Sequence, residues 1–150
     1  YHFYPSKQAF GLELIAQYAE YCNRKLDRCF SNLTQPPLVR LQAYADDAVA
    51  GVERYAFRRG CLVGNLSQEF AGSSEPFHTA LNAAIQGWED RVAELLCQAK
   101  SAGEIAKNTD EPCVARIFWS GWQGALNRAR MMRDAGPFRQ FVAYFMTNLK

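Results

Sequence analysis

The sequence predicts an all-α protein, a bundle of about six helices, and three observations carry that prediction. Apolar residues recur at three- and four-residue steps through every long segment, the spacing that lines one face of a helix. Proline stands where helices begin (Pro37, Pro76, Pro112) and glycine where they end (Gly60, Gly103). No segment shows the strict apolar-polar alternation of a half-buried strand, and neither an internal repeat nor a low-complexity stretch interrupts the pattern.

The first helix is expected over Lys7 to Cys29, capped by Ser6, with Leu14, Ala16, Tyr18, Tyr21, Cys22, Lys25 and Leu26 on its packed side. After the loop SNLTQPP, Pro37 opens a second helix through Arg59, with Leu38, Leu41, Ala45, Val49, Val52 and Ala56 inward and Gly60 as its stop. CLVGNLSQEFAGSS is bounded by turns and reads as one short helix. A restart at Ser74 or Glu75 gives a helix to about Ala102, carrying Phe77, Leu81, Ile85, Trp88, Val92, Leu95 and Leu96 and closed by Gly103.

Asp110 caps the next helix, which holds Pro112 in its first turn and ends near Asp134. At about 100° per residue, Val114, Phe118, Trp122, Ala125 and Ala129 form one line. Trp119 and Leu126 widen the stripe on one side; Ile117, Gly121, Gly124 and Met131 widen it on the other. Only Arg116, Ser120, Gln123, Asn127 and Arg130 make a polar arc, so this helix needs cover from more than one direction. A second copy of the chain and a single monomeric core both satisfy that need. Phe138, Phe141, Val142, Phe145 and Leu149 define a last, aromatic helix.

With 150 residues, 49% of them hydrophobic, the chain can bury one good core. Seventeen basic against fifteen acidic residues leave a formal charge of +2, too even for a polybasic nucleic-acid surface or membrane anchor. Cys22, Cys29, Cys61, Cys97 and Cys113 show no CxxC spacing, which points to reduced thiols and a cytoplasmic location. Neither a membrane-spanning run nor a signal peptide is evident. His78 lacks a ligand-spaced partner, the adjacent acidic pairs point in different directions on a helix, and GxSxG, phosphate-loop and GxGxxG motifs are absent. Enzyme chemistry, metals and cofactors are therefore not expected.

The opening YHFYPSKQAF resembles the end of the DNA-binding unit in the TetR family of bacterial transcription regulators. There a recognition helix ends in a Tyr-His cluster, followed by an aromatic residue, a Ser-Lys pair and a long connecting helix. Tyr1, His2, Phe3, Tyr4, Ser6 and Lys7 carry the match. The resemblance implies that residues 1–8 are the remnant of a helix-turn-helix domain and residues 9–150 an effector-binding and dimerisation domain. It implies a homodimer, a small-molecule effector, and operator DNA contacted through Tyr1, His2 and Lys7 only when the complete N-terminal unit is present. GCLVGNLSQEF and the Trp-rich penultimate helix resemble the branch that represses reductase genes and responds to electrophiles or acrylate-type compounds.

Within that frame Cys61, beside Arg58 and Arg59 and ahead of a short helix, is the candidate sensor thiol; its other reading is a small buried hydrophobe. Tyr18, Tyr21, Phe70, Trp88, Phe118, Trp119 and Trp122 are the candidate pocket, with plain core packing as the alternative. Gly121, Gly124, Ala125 and Arg128, together with Phe138, Phe141 and Phe145, are expected to meet the partner subunit. A small helical thiol enzyme using Cys61 and a purely structural helical dimer are the competing functions.

Overall fold

A computed structural model describes residues 6–57 and 75–150. These residues form five α-helices and no strand: α1 (Lys7–Phe30), α2 (Pro37–Arg54), α3 (Glu75–Ser101), α4 (Glu111–Met132) and α5 (Gly136–Leu149). The short helix expected between Cys61 and Ser74, and the Gly60 stop, lie outside the described residues.

Local chemistry sets the helix starts. The Ser6 hydroxyl accepts from Ala9 N at 3.1 Å, and Asp110 Oδ1 accepts from Cys113 N at 3.1 Å, each satisfying a backbone donor of the first turn. Helix α2 begins after Pro36, whose side chain has no acceptor to offer. Glu104, from the loop after α3, serves instead: its Oε1 accepts from Leu38 N at 3.2 Å, placing a carboxylate at the positive end of α2.

Three helices end in the same paired hydrogen-bond pattern, in which a residue in the left-handed region turns its own N–H and that of the next residue back onto the last turn. At α3 that residue is Gly103 (φ 76°), whose own N–H reaches Lys100 O at 3.1 Å while Glu104 N reaches Ala99 O at 2.9 Å. At α4 it is Arg133 (φ 53°), and Asp134 N reaches Ala129 O at 3.1 Å. At α2 it is Ala56 (φ 52°), and Phe57 N reaches Val52 O at 3.0 Å. Helix α2 thus stops at Arg54, before the expected Arg59, although no glycine stands there. Phe57 packs against the core just past the turn, the apolar contact that accompanies this motif. Ala56→Gly should raise stability by about 0.5–1 kcal/mol, read from the thermal midpoint, because glycine enters the left-handed region without the Cβ penalty.

In the bundle, α3 packs closely on α1, α2 and α4, while α5 closes the assembly against α4 and α2. The core is continuous through all five helices. Helices α2, α3 and α5 bury most of the faces their periodicity marks out; Ile85 and Phe141 are only half-buried, and Ala56, expected inward, is exposed because α2 ends before it. On α1 the inward face is rotated from the expected one: Ile15 and Leu26 are buried, whereas Leu14 and Tyr21 are exposed. Glycine allows one close approach there, since a Cβ on Gly11 would stand 2.8 Å from the Phe77 ring of α3.

Candidate functional site

Helices α1 and α2 are not close-packed on α4. Large side chains bridge the gap, and they leave a cavity of ≈ 220 Å3. Helix α1 supplies Tyr18, Tyr21, Cys22 and Lys25; α2 supplies Tyr44, Ala48, Gly51 and Val52, with Tyr55 just past its end. Trp88 enters from α3, Trp119, Trp122, Gln123 and Leu126 from α4, and Phe138 from α5. Every helix therefore reaches the cavity.

The aromatic wall is a connected set of rings. Tyr18 meets Trp88 at 6.5 Å between centroids, Trp88 meets Trp119 at 5.6 Å, and Trp119 meets Trp122 at 5.4 Å. Tyr44 stacks on Trp122 at 5.2 Å with planes 21° apart, and Phe138 stands edge-on to Trp122 at 4.6 Å. Offset and edge-to-face pairs of this kind add about 0.5–1.5 kcal/mol each beyond area burial. They hold the wall in shape.

Polar groups punctuate this wall. The Trp88 and Trp119 indole N–H donors are buried with no acceptor within hydrogen-bond distance among the described residues. Lys25 Nζ lies 2.9 Å from Asp47 Oδ2 of α2, so the one charged side chain among the described lining residues is tied to a carboxylate outside the cavity. Gln123, placed by periodicity on the polar arc of α4, belongs to the wall.

Of the residues expected here, Tyr18, Tyr21, Trp88, Trp119 and Trp122 line the cavity together. Phe118 does not: it lies one layer behind, packed on Phe141 and Phe145 of α5. Cys61, Phe70, Tyr1 and His2 lie outside the described residues, and Lys7 is an exposed residue at the start of α1. Tyr44, Lys25, Cys22 and Gln123 were not anticipated as a group. The first three stand on packed faces of α1 and α2, but which packed residues border a gap depends on how two helices diverge. Among the described residues no cluster of His, Cys, Asp and Glu could hold a metal, and no helix is long and apolar enough to cross a membrane.

Residues 37–145 match the family described as the tetracyclin repressor-like C-terminal domain. The chain belongs to this family. It is 39% identical over 145 residues to the transcriptional regulator AcuR of Cereibacter sphaeroides, covering 97% of this chain and 66% of that protein. It is 26% identical over 142 residues to the HTH-type transcriptional repressor DhaR of a Mycobacterium species, covering 95% of this chain and 70% of that protein. Among solved structures, the crystal structure of a regulatory protein TetR from Rhodobacter sphaeroides superposes with a TM-score of 0.95 at 37% identity, over 100% of this chain and 79% of that one. The fold read from the sequence is the TetR C-terminal fold.

On this TetR-type domain the face expected to meet a partner divides in two. Phe138 is 0% exposed and Phe145 is buried against Phe118 at 5.0 Å, so both belong to the chain's own core. Gly121 is likewise used internally, because a Cβ there would fall 2.2 Å from the Phe141 ring; the missing side chain lets α5 close on α4. Ala125 is half-buried against the core. What remains outward is Gly124, with open space above it, and Arg128, joined by Ile117 (57% exposed), Met131 (70%) and Tyr144 (73%).

The cysteines of the TetR-type domain differ in environment. Cys22 is half-buried in the cavity wall. Burial pushes the Cys29 thiol above its ordinary pKa, Asp47 adds to the rise, and Arg28 and Lys25 oppose it. Cys97 is raised by desolvation first, then by its hydrogen bond to Glu111 and by the charges of Glu111 and Glu94. Both groups are poor thiolates.

Proposed function

We propose that this chain is the ligand-sensing and homodimerising part of a TetR-type transcriptional repressor. The cavity carries this reading: it is mostly apolar, walled by aromatic rings, furnished with a few polar groups, and built from every helix including α1. Residues 1–8 are then the end of the DNA-binding unit and residues 9–150 the effector and dimer domain. Tyr1, His2 and Lys7 would serve operator DNA when the complete N-terminal unit is present. The likeness to AcuR and DhaR, named as a transcriptional regulator and a transcriptional repressor, supports the assignment.

The mechanism is a population shift. An occupant that contacts α1 and α4 together favours one placement of α1 over another, and α1 is the helix that joins the DNA-binding unit. The effector class we assign is a small unsaturated carbonyl compound or carboxylate. Saturable quenching of the Trp88, Trp119 and Trp122 fluorescence by such compounds, at one site per subunit, is the expected result. No quenching across a broad panel of them would refute the sensor reading.

Dimerisation is assigned to the outward face of α4 and α5, where Ile117, Gly124, Arg128 and Tyr144 lie exposed. Sedimentation at micromolar concentration should give a dimer, and a stable monomer would overturn the assignment. For redox or electrophile sensing we keep Cys61. In timed alkylation of the native protein it should outpace Cys29 and Cys97, whose thiols are held protonated; Cys61 reacting slowest would remove it as the sensor.

A further inference from the structure

We propose that Lys25 is the anion-recognising group of the cavity, and that an occupant carrying a carboxylate takes it from Asp47. This deepens the sensor reading and rests on it.

Among the described lining residues Lys25 is the one charged side chain, so an ionised acid finds no repelling carboxylate in that part of the wall. Its present partner is a weak competitor: the Asp47 side chain is 51% exposed, on the solvent side of α2, whereas Lys25 is 26% exposed. An ion pair reaching into water is screened and contributes little, while a pair closed off by aromatic rings is screened far less. Trp88 and Trp119, both cavity-lining residues, carry buried N–H donors with no acceptor among the described residues, and a shift of either ring on ligand entry would satisfy one. A carboxylate offers acceptor sites for them as well as for the ammonium.

The exchange has a mechanical consequence. Near its C-terminus α1 carries two ion pairs, Lys25 to Asp47 of α2 and Asp27 to Arg91 of α3 at 2.8 Å, and its last carbonyl, Phe30 O, accepts from Arg40 of α2. Transfer of Lys25 to a ligand breaks the first pair and keeps the second. Helix α1 then loosens from α2 around Lys25, while the Asp27–Arg91 pair and the Arg40–Phe30 hydrogen bond hold its end.

Butanoate and butanamide, alike in shape but not in charge, are the probes, titrated by tryptophan fluorescence and calorimetry into the whole chain. Butanoate should bind at least tenfold more tightly. Asp47→Asn should tighten butanoate several-fold and leave butanamide unchanged, because only the competitor for Lys25 is lost. Lys25→Met should bring the two affinities together, with Lys25→Gln as a polar control and circular dichroism to verify the fold of each. Amide exchange around Lys25 should quicken both on butanoate binding and in Asp47→Asn without ligand. Equal affinities in the unaltered protein, an acid preference surviving in Lys25→Met, or weaker butanoate binding by Asp47→Asn would each overturn the proposal. So would failure of both probes to bind, and if other small carbonyl compounds still quench, the sensor reading stands without it.

Discussion

Phe118→Ala should lower stability by about 3–5 kcal/mol, the range for removing a fully buried phenylalanine from a core that cannot collapse into the space. Phe118 is 1% exposed and stands within 5.0–5.9 Å of Trp119, Trp122, Phe141 and Phe145, centroid to centroid. It is the hub between the cavity wall and α5. Its neighbours are large, ring-shaped and locked by one another, so little can move in to fill the void. For a domain of this size the loss corresponds to a fall of about 10 °C in Tm. Ile117→Ala is the matched control: the preceding residue is 57% exposed and points away from the core. In the isolated subunit that change should cost under about 0.5 kcal/mol. If the outward face of α4 meets a partner, the Ile117→Ala loss grows with protein concentration, whereas the Phe118→Ala loss is present at every concentration.

That pair of residues shows where sequence reasoning stops. Caps and stops that depend on one side chain were legible: Ser6, Asp110, Pro37, Pro112 and Gly103 act where periodicity and residue type placed them. The end of α2 was not, because Ala56 adopts a conformation whose usual marker is glycine, stabilised by a contact of Phe57 that no local pattern announces. An aromatic stripe says that a helix face is covered but not by what. Phe138 and Phe145 were assigned to a partner and are covered by α4 of the same chain. Gly121 and Gly124 read alike in sequence, yet one receives the Phe141 ring and the other opens to solvent. In the cavity, the tryptophans and tyrosines were legible as large apolar groups at helical spacing. Lys25 and Gln123 were not singled out as site residues, since their role depends on the gap between α1, α2 and α4.

Arg40→Ala should cost about 3 kcal/mol, although Arg40 faces no carboxylate in its hydrogen bonds. The side chain is 5% exposed. Its Nε donates to Gln35 O at 3.0 Å, and its Nη1 donates to Phe30 O at 2.6 Å and to Gln98 Oε1 at 3.0 Å. One guanidinium thus joins the last residue of α1, the loop before α2, and α3. The cation also lies at the negative end of the α1 dipole, which is part of its compensation for burial. Removing it leaves three part-buried acceptors around a cavity without their donor; a fully buried one would cost on the order of 1–3 kcal/mol, and water reaching the more open Gln35 side offsets part of that sum. Arg40→Lys should recover only part of the loss, because an ammonium cannot reproduce the fork that spans these directions. Arg40→Met should fall between lysine and alanine, filling the volume but donating nothing. Urea unfolding checks the order: the midpoint should fall from arginine through lysine and methionine to alanine, with the slope unchanged. Because Arg40 is buried and its acceptors are neutral, these differences should persist in high salt. The exposed Arg139–Glu53 pair, by contrast, should lose its small contribution there.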